Sequence, residues 1–325
     1  MQTQTQSRAR FYLAILGAIL AVSTASIFIK FAQQDAPSLV IAAFRLTLAS
    51  LVLAPVAIAR HPDELKKLTA LELGLGLLAG LFLALHFALW VTSLQYTSVS
   101  SSVVLVSTTP VWVALVAPFV LKEPIRRTAA IGIALALVGG TIVGLGDACR
   151  WNAAPALGQA AGLVCPPPDA FLGGPAPYGN LLALGGAWMA AGYLLIGRRL
   201  RAKLSLLPYV FVVYGMAALV LIVFMLAAGQ SPFGYQPLTY VWLLALAFIP
   251  QLIGHSTFNW ALRYVPASFV SVMLLGEPVG ATILAYFLLG ETPGALKLAG
   301  AALILAGILA VSRSQTSPEP TGQSI

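Results

Sequence analysis

The chain repeats itself at a fixed offset of 168 residues, and that duplication constrains its architecture more than any single motif. Pro110 matches Pro278, Glu123 matches Glu291, Lys30 falls on Arg198, and Leu16-Gly17 falls on Leu184-Gly185. Leu94, Tyr96 and Ser100 match Leu262, Tyr264 and Ser268. Further along, Phe119 falls on Phe287, Gly139 on Gly307 and Val143 on Val311. One register holds from the first apolar segment of each copy to its last.

Hydropathy decides what a copy can be. A mean hydropathy of +0.91, with 59% hydrophobic and 9% charged residues, excludes an ordinary soluble domain. Ten apolar stretches stand out. Each has about 18–26 residues, enough to cross about 30 Å of hydrocarbon as a helix. A lone strand cannot satisfy its backbone in lipid, so helices are expected. The expected fold is an all-α integral membrane protein with ten transmembrane helices arranged as two inverted five-helix repeats. The odd count per copy is what inverts the second. The repeats are placed at 11–147 and 179–313, separated by an extracytoplasmic loop at 148–178 and followed by a disordered cytoplasmic tail at 314–325.

Basic residues orient the bundle. With the N-terminus cytoplasmic, fourteen Lys and Arg fall on the cytoplasmic side and three (Lys30, Arg150 and Lys297) on the other. Both termini are therefore expected in the cytoplasm, with the protein multi-pass in the cell (inner or plasma) membrane. The net charge of +8 is scattered over short loops, which speaks against nucleic acid as a partner. Arg8 and Arg10 precede an apolar run too long for a signal peptide, so it reads as an uncleaved first span. The only two cysteines, Cys149 and Cys165, share the long loop. They either close a disulfide across it or stay free thiols; a metal site is not expected.

Ionisable groups inside spans are functional candidates, because charge at the bilayer centre costs about 3 kcal/mol on insertion scales. Glu277 is the sharpest, about 15 Å into the ninth span. It is expected to bind a proton or a substrate ammonium, or else to pack against a neighbouring hydroxyl or Arg. Its repeat partner is Thr109, and each precedes a helix-breaking proline, Pro278 or Pro110. His86 with Trp90, and Gln251 with His255 and Asn259, recur at spacings of four, which puts each set on one helical face. A polar stripe of that kind is expected to face the bundle interior, lining a path or bonding between helices. Arg45, in the second span, has three readings: neutralising Glu277, binding a substrate carboxylate, or snorkelling outward. Glu123 and Glu291 are expected to cap the next helix or to pair with nearby bases.

Together these motifs make the sequence similar to the drug/metabolite transporter superfamily, in its EamA-type ten-helix branch. The likeness rests on Ser93-Leu-Gln-Tyr-Thr-Ser-Val-Ser-Ser-Ser102, Thr109-Pro-Val111 and Leu121-Lys-Glu-Pro124. The second copy supplies Asn259-Trp-Ala-Leu-Arg-Tyr-Val-Pro-Ala-Ser268, Leu275-Gly-Glu-Pro-Val279 and Leu289-Gly-Glu291. The resemblance implies a central cavity alternately open to each side, and export or exchange of small metabolites such as amino acids or amphipathic compounds. A small-molecule substrate and the lipid bilayer are the expected partners; a homodimer is compatible with the chain. No cofactor is expected, and no phosphate-binding loop points to ATP. The competing readings are a channel, a flippase, or an integral-membrane enzyme acting on lipid-linked substrates. The enzyme reading lacks paired acids or a metal-binding motif.

Overall fold

The computed structural model describes residues 2–120, 127–152, 162–165, 167, 174–265 and 267–315. Apart from a short hairpin, the described residues with regular structure are helical. The protein is a multi-pass membrane protein: among the described residues, eight helical segments are long and apolar enough to cross a membrane. Two shorter apolar helices, Ala130–Gly146 and Ala295–Gly307, accompany them.

The first half comprises α1 (Gln2–Ser23), α2 (Ala25–Ala32), α3 (Ser38–Arg60), α4 (Pro62–Lys66), α5 (Ala70–Tyr96), α6 (Val99–Val106), α7 (Thr109–Val120) and α8 (Arg127–Ala148). A hairpin follows, β1 (Arg150–Asn152) pairing antiparallel with β2 (Gly162–Val164). Cys149 and Cys165 close its base as a disulfide. The second half comprises α9 (Pro175–Arg201), α10 (Leu206–Ala227), α11 (Pro237–Leu246), a π-helical segment (Ala247–His255), α12 (Ser256–Ala261), α13 (Ala267–Met273), α14 (Gly276–Leu289) and α15 (Ala295–Gln315). Much of the loop, the tail beyond 315 and Glu123 lie outside the described residues.

Local chemistry explains where helices start and stop. Thr69 and Glu72 form a reciprocal capping box that starts α5. Gly290, at φ +69°, supplies the left-handed residue that ends α14. Two breaks fall at equivalent places, Ser107-Thr108 between α6 and α7 and Leu274-Leu275 between α13 and α14. Pro110 has no N–H to give to the carbonyl of Val106, and Thr109 Oγ1 donates to that carbonyl instead, at 2.9 Å. Pro278 likewise leaves the carbonyl of Leu274 to the Glu277 N–H, at 2.9 Å.

Close packing follows small residues. Helices α8 and α15 run antiparallel in intimate contact. A Cβ on Gly139 would sit 2.6 Å from the carbonyl oxygen of Gly300, and one on Gly307 would strike the carbonyl of Gly132. Polar contacts repeat as well. Lys30 Nζ donates to the carbonyl of Leu94 at 2.6 Å. Its counterpart 168 residues on, Arg198, donates to the carbonyl of Leu262, also at 2.6 Å.

Candidate functional site

The breaks in the two discontinuous spans face each other across the interior, and a cavity lies between them, walled by α5, α9 and α12. Glu277 projects into it from the first turn of α14. Among the described residues no hydrogen bond or ion pair holds its carboxylate. A carboxylate in that setting is an acceptor awaiting a proton or a cationic group.

Of the residues singled out from sequence, Glu277, His86, Trp90, Thr109, His255 and Asn259 all line this one cavity. His86 Nδ1 lies 2.9 Å from the carbonyl of Gly186, which fixes Nδ1 as the donor and leaves Nε2 as an acceptor. The His86 ring stacks on Trp90, centroids 5.9 Å apart at 15°. His255 meets Phe87 edge-on at 5.3 Å. The Thr109 hydroxyl is committed to the backbone of Val106 and is not a free recognition group.

Gln251 is the exception among these residues. It is fully buried but is not part of the cavity wall; its Oε1 accepts from Arg45 Nε at 2.8 Å. The expected shared face assumed a regular α-helix. Ala247–His255 is instead π-helical, with i→i+5 bonding around Pro250, so residues four apart no longer superpose.

Arg45 does not snorkel. It is 0% exposed, and its guanidinium lies 4.2 Å above the Phe87 ring centroid. Both terminal nitrogens lack hydrogen-bond partners, as does the indole N–H of Trp90. Glu277 acts on Arg45 electrostatically, although no ion pair within 4.0 Å joins them. The interior thus holds an unpartnered carboxyl group and unpartnered donors close to stacked rings.

Tyr193 and Ser271 also line the cavity, and sequence reasoning passed over them. Tyr193 donates to Asn259 Oδ1, and Asn259 Nδ2 donates to the Tyr214 hydroxyl at 3.0 Å. The signal for Tyr193 was present. Gly186, Ala190 and Gly197 form a buried small-residue stripe on α9, and Tyr193 falls on that stripe.

Comparison with known proteins agrees with this architecture. The EamA-like transporter family matches residues 9–145 and 177–313, one copy per half. An uncharacterized transporter of Archaeoglobus fulgidus is 32% identical over 71 residues; the match spans 22% of this chain and 26% of that protein's length. The uncharacterized transporter YetK of Bacillus subtilis is 24% identical over 313 residues, covering 95% of this chain and 88% of its own. A solved crystal structure shares the fold at a TM-score of 0.63 and 19% identity, covering 95% of this chain and 99% of that one.

Proposed function

Because the chain belongs to the EamA-like transporter family, we propose that it is a secondary transporter that exports or exchanges small organic metabolites, such as amino acids or amphipathic compounds, by alternating access. The proposed frame is ten spans in two inverted five-helix repeats, in the cell membrane, with both termini cytoplasmic. Two symmetric features support it. The Gly139–Gly300 contact, shifted by one repeat, becomes the Gly307–Gly132 contact between the same two antiparallel helices. An exchange of this kind between two antiparallel helices is what inverted repeats would produce. The Lys30–Leu94 and Arg198–Leu262 bonds are likewise one contact made twice.

The observation that carries the functional reading is the unpartnered Glu277 carboxylate in an interior cavity between two broken helices. In transporters built from inverted repeats, solutes bind near the midplane where broken helices meet. Glu277 suits an ammonium group or a proton. The His86–Trp90 stack on the cavity wall offers an apolar face.

The test is counterflow in proteoliposomes with labelled amino acids and amphipathic amines. Saturable exchange is expected, and Glu277→Gln should slow it about tenfold or more. Exchange by Glu277→Gln at the parental rate, with the parental pH dependence, would show that this carboxylate binds neither solute nor proton. Flux that does not saturate would favour a channel.

A further inference from the structure

Glu291 stands outside the cavity, at one end of the bundle, where the two halves of the chain meet. Gly290 turns the chain at the end of α14 and presents the Glu291 carboxylate to the other half. Both carboxylate oxygens accept from the backbone N–H of Val99, at 3.2 and 3.0 Å. Val99 is the first residue of α6, and that N–H has no partner within its own helix. Beside it, Lys297 Nζ donates to Ser98 Oγ at 3.0 Å. The charge of Glu291 also acts on Lys30, which holds the carbonyl of Leu94. At this end, α14 and α15 of the second half are therefore tied to α2, α5 and α6 of the first. The cavity reaches from Trp90, one turn before Leu94 on α5, toward the opposite end. Tyr193, Phe258 and Asn259, on its wall, lie toward the end where α9 and α12 finish.

We propose that Glu291 is a state-dependent latch. By capping α6 across the boundary between the halves, it holds the cavity closed at its own end in this conformation, and it releases Val99 when the cavity opens there. The proposal rests on the alternating-access reading. The bond is suited to repeated making and breaking. A carboxylate on a helix N-terminus gains from the charge and the dipole together, yet both partners are fully hydrated once water reaches them. A static cap would come from the helix's own N-terminal residues, and Ser98 already does that for Ser101, whose N–H it accepts at 3.2 Å. Glu291 adds a tie from the half that has to move.

The test uses the full chain with one reporter cysteine, Ser107→Cys, on the cavity wall. The two native cysteines are joined to each other and do not compete for the reagent. A membrane-impermeant thiol reagent is applied to each face of sealed vesicles in turn. In the parent, labelling from the face opposite Glu291 should dominate. Glu291→Gln should raise the share of labelling from the Glu291 face about tenfold. Val99→Pro should do the same, since it deletes the donor while proline fits the first helical position. A labelling ratio unchanged in both monodisperse variants, with access still alternating on solute addition, would overturn the latch alone. Access from one face only, in every variant and with every solute, would overturn the alternating-access reading and the latch with it.

Discussion

For Arg45 the sequence position left three directions open: toward Glu277, toward a substrate carboxylate, or outward to the surface. Its position in the second span was plain, but depth does not say which way a long side chain leaves its helix. Phe87 and Gln251, from other spans, give it a ring face and an acceptor, and that decides for the interior. Arg45→Lys removes the Nε bond to Gln251 and the planar contact with the ring, and should cost about 1–2 kcal/mol of stability. Thermal unfolding in detergent, parent against variant, measures it. Glu277 makes a second prediction, with a defined sign. Only the ionised carboxylate holds an ammonium group, so uptake of a cationic solute should fall as pH is lowered through its titration. Glu277→Gln should flatten that dependence, as uptake measured from about pH 5 to about pH 8 will show.

Discontinuities in helices were legible at Pro110 and Pro278 and obscure elsewhere. Pro110 and Pro278 announced the breaks between α6 and α7 and between α13 and α14, because a missing N–H leaves a specific carbonyl to be satisfied. The break at Thr24 between α1 and α2 carries no proline, and the π-helical run around Pro250 looked like ordinary helix in periodicity. That run is why His255 and Asn259 reached the cavity wall while Gln251 turned to Arg45. The α8–α15 contact offers a test of packing. Gly139→Ala places a methyl carbon 2.6 Å from a backbone oxygen, which cannot yield as a side chain would. It should destabilise the protein by about 1–3 kcal/mol. Gly17→Ala, inside α1, meets nothing within 4 Å and should stabilise by about 0.5–1 kcal/mol through helix propensity alone, so the pair of thermal midpoints separates crowding from propensity.

The duplication was legible before any coordinate, because a shared register of prolines, glycines and charges survives where ordinary apolar residues interchange. What it could not convey is how the halves interlock. Contacts between copies depend on which faces meet, and a repeat describes only a single copy. The Glu291–Val99 cap is one such contact: Glu291 was expected to cap the next helix or to pair with nearby bases, and the helix it caps belongs to the other half. The membrane frame itself is tested by two exposed residues one repeat apart, Gln34 and Ala202, each just past the end of the first span of its half. Each is replaced in turn by cysteine and labelled with an impermeant thiol reagent in sealed, uniformly oriented vesicles. Inverted halves require Gln34→Cys and Ala202→Cys to react from opposite faces. Reaction of both from the same face would contradict the inverted arrangement and the solute path built on it.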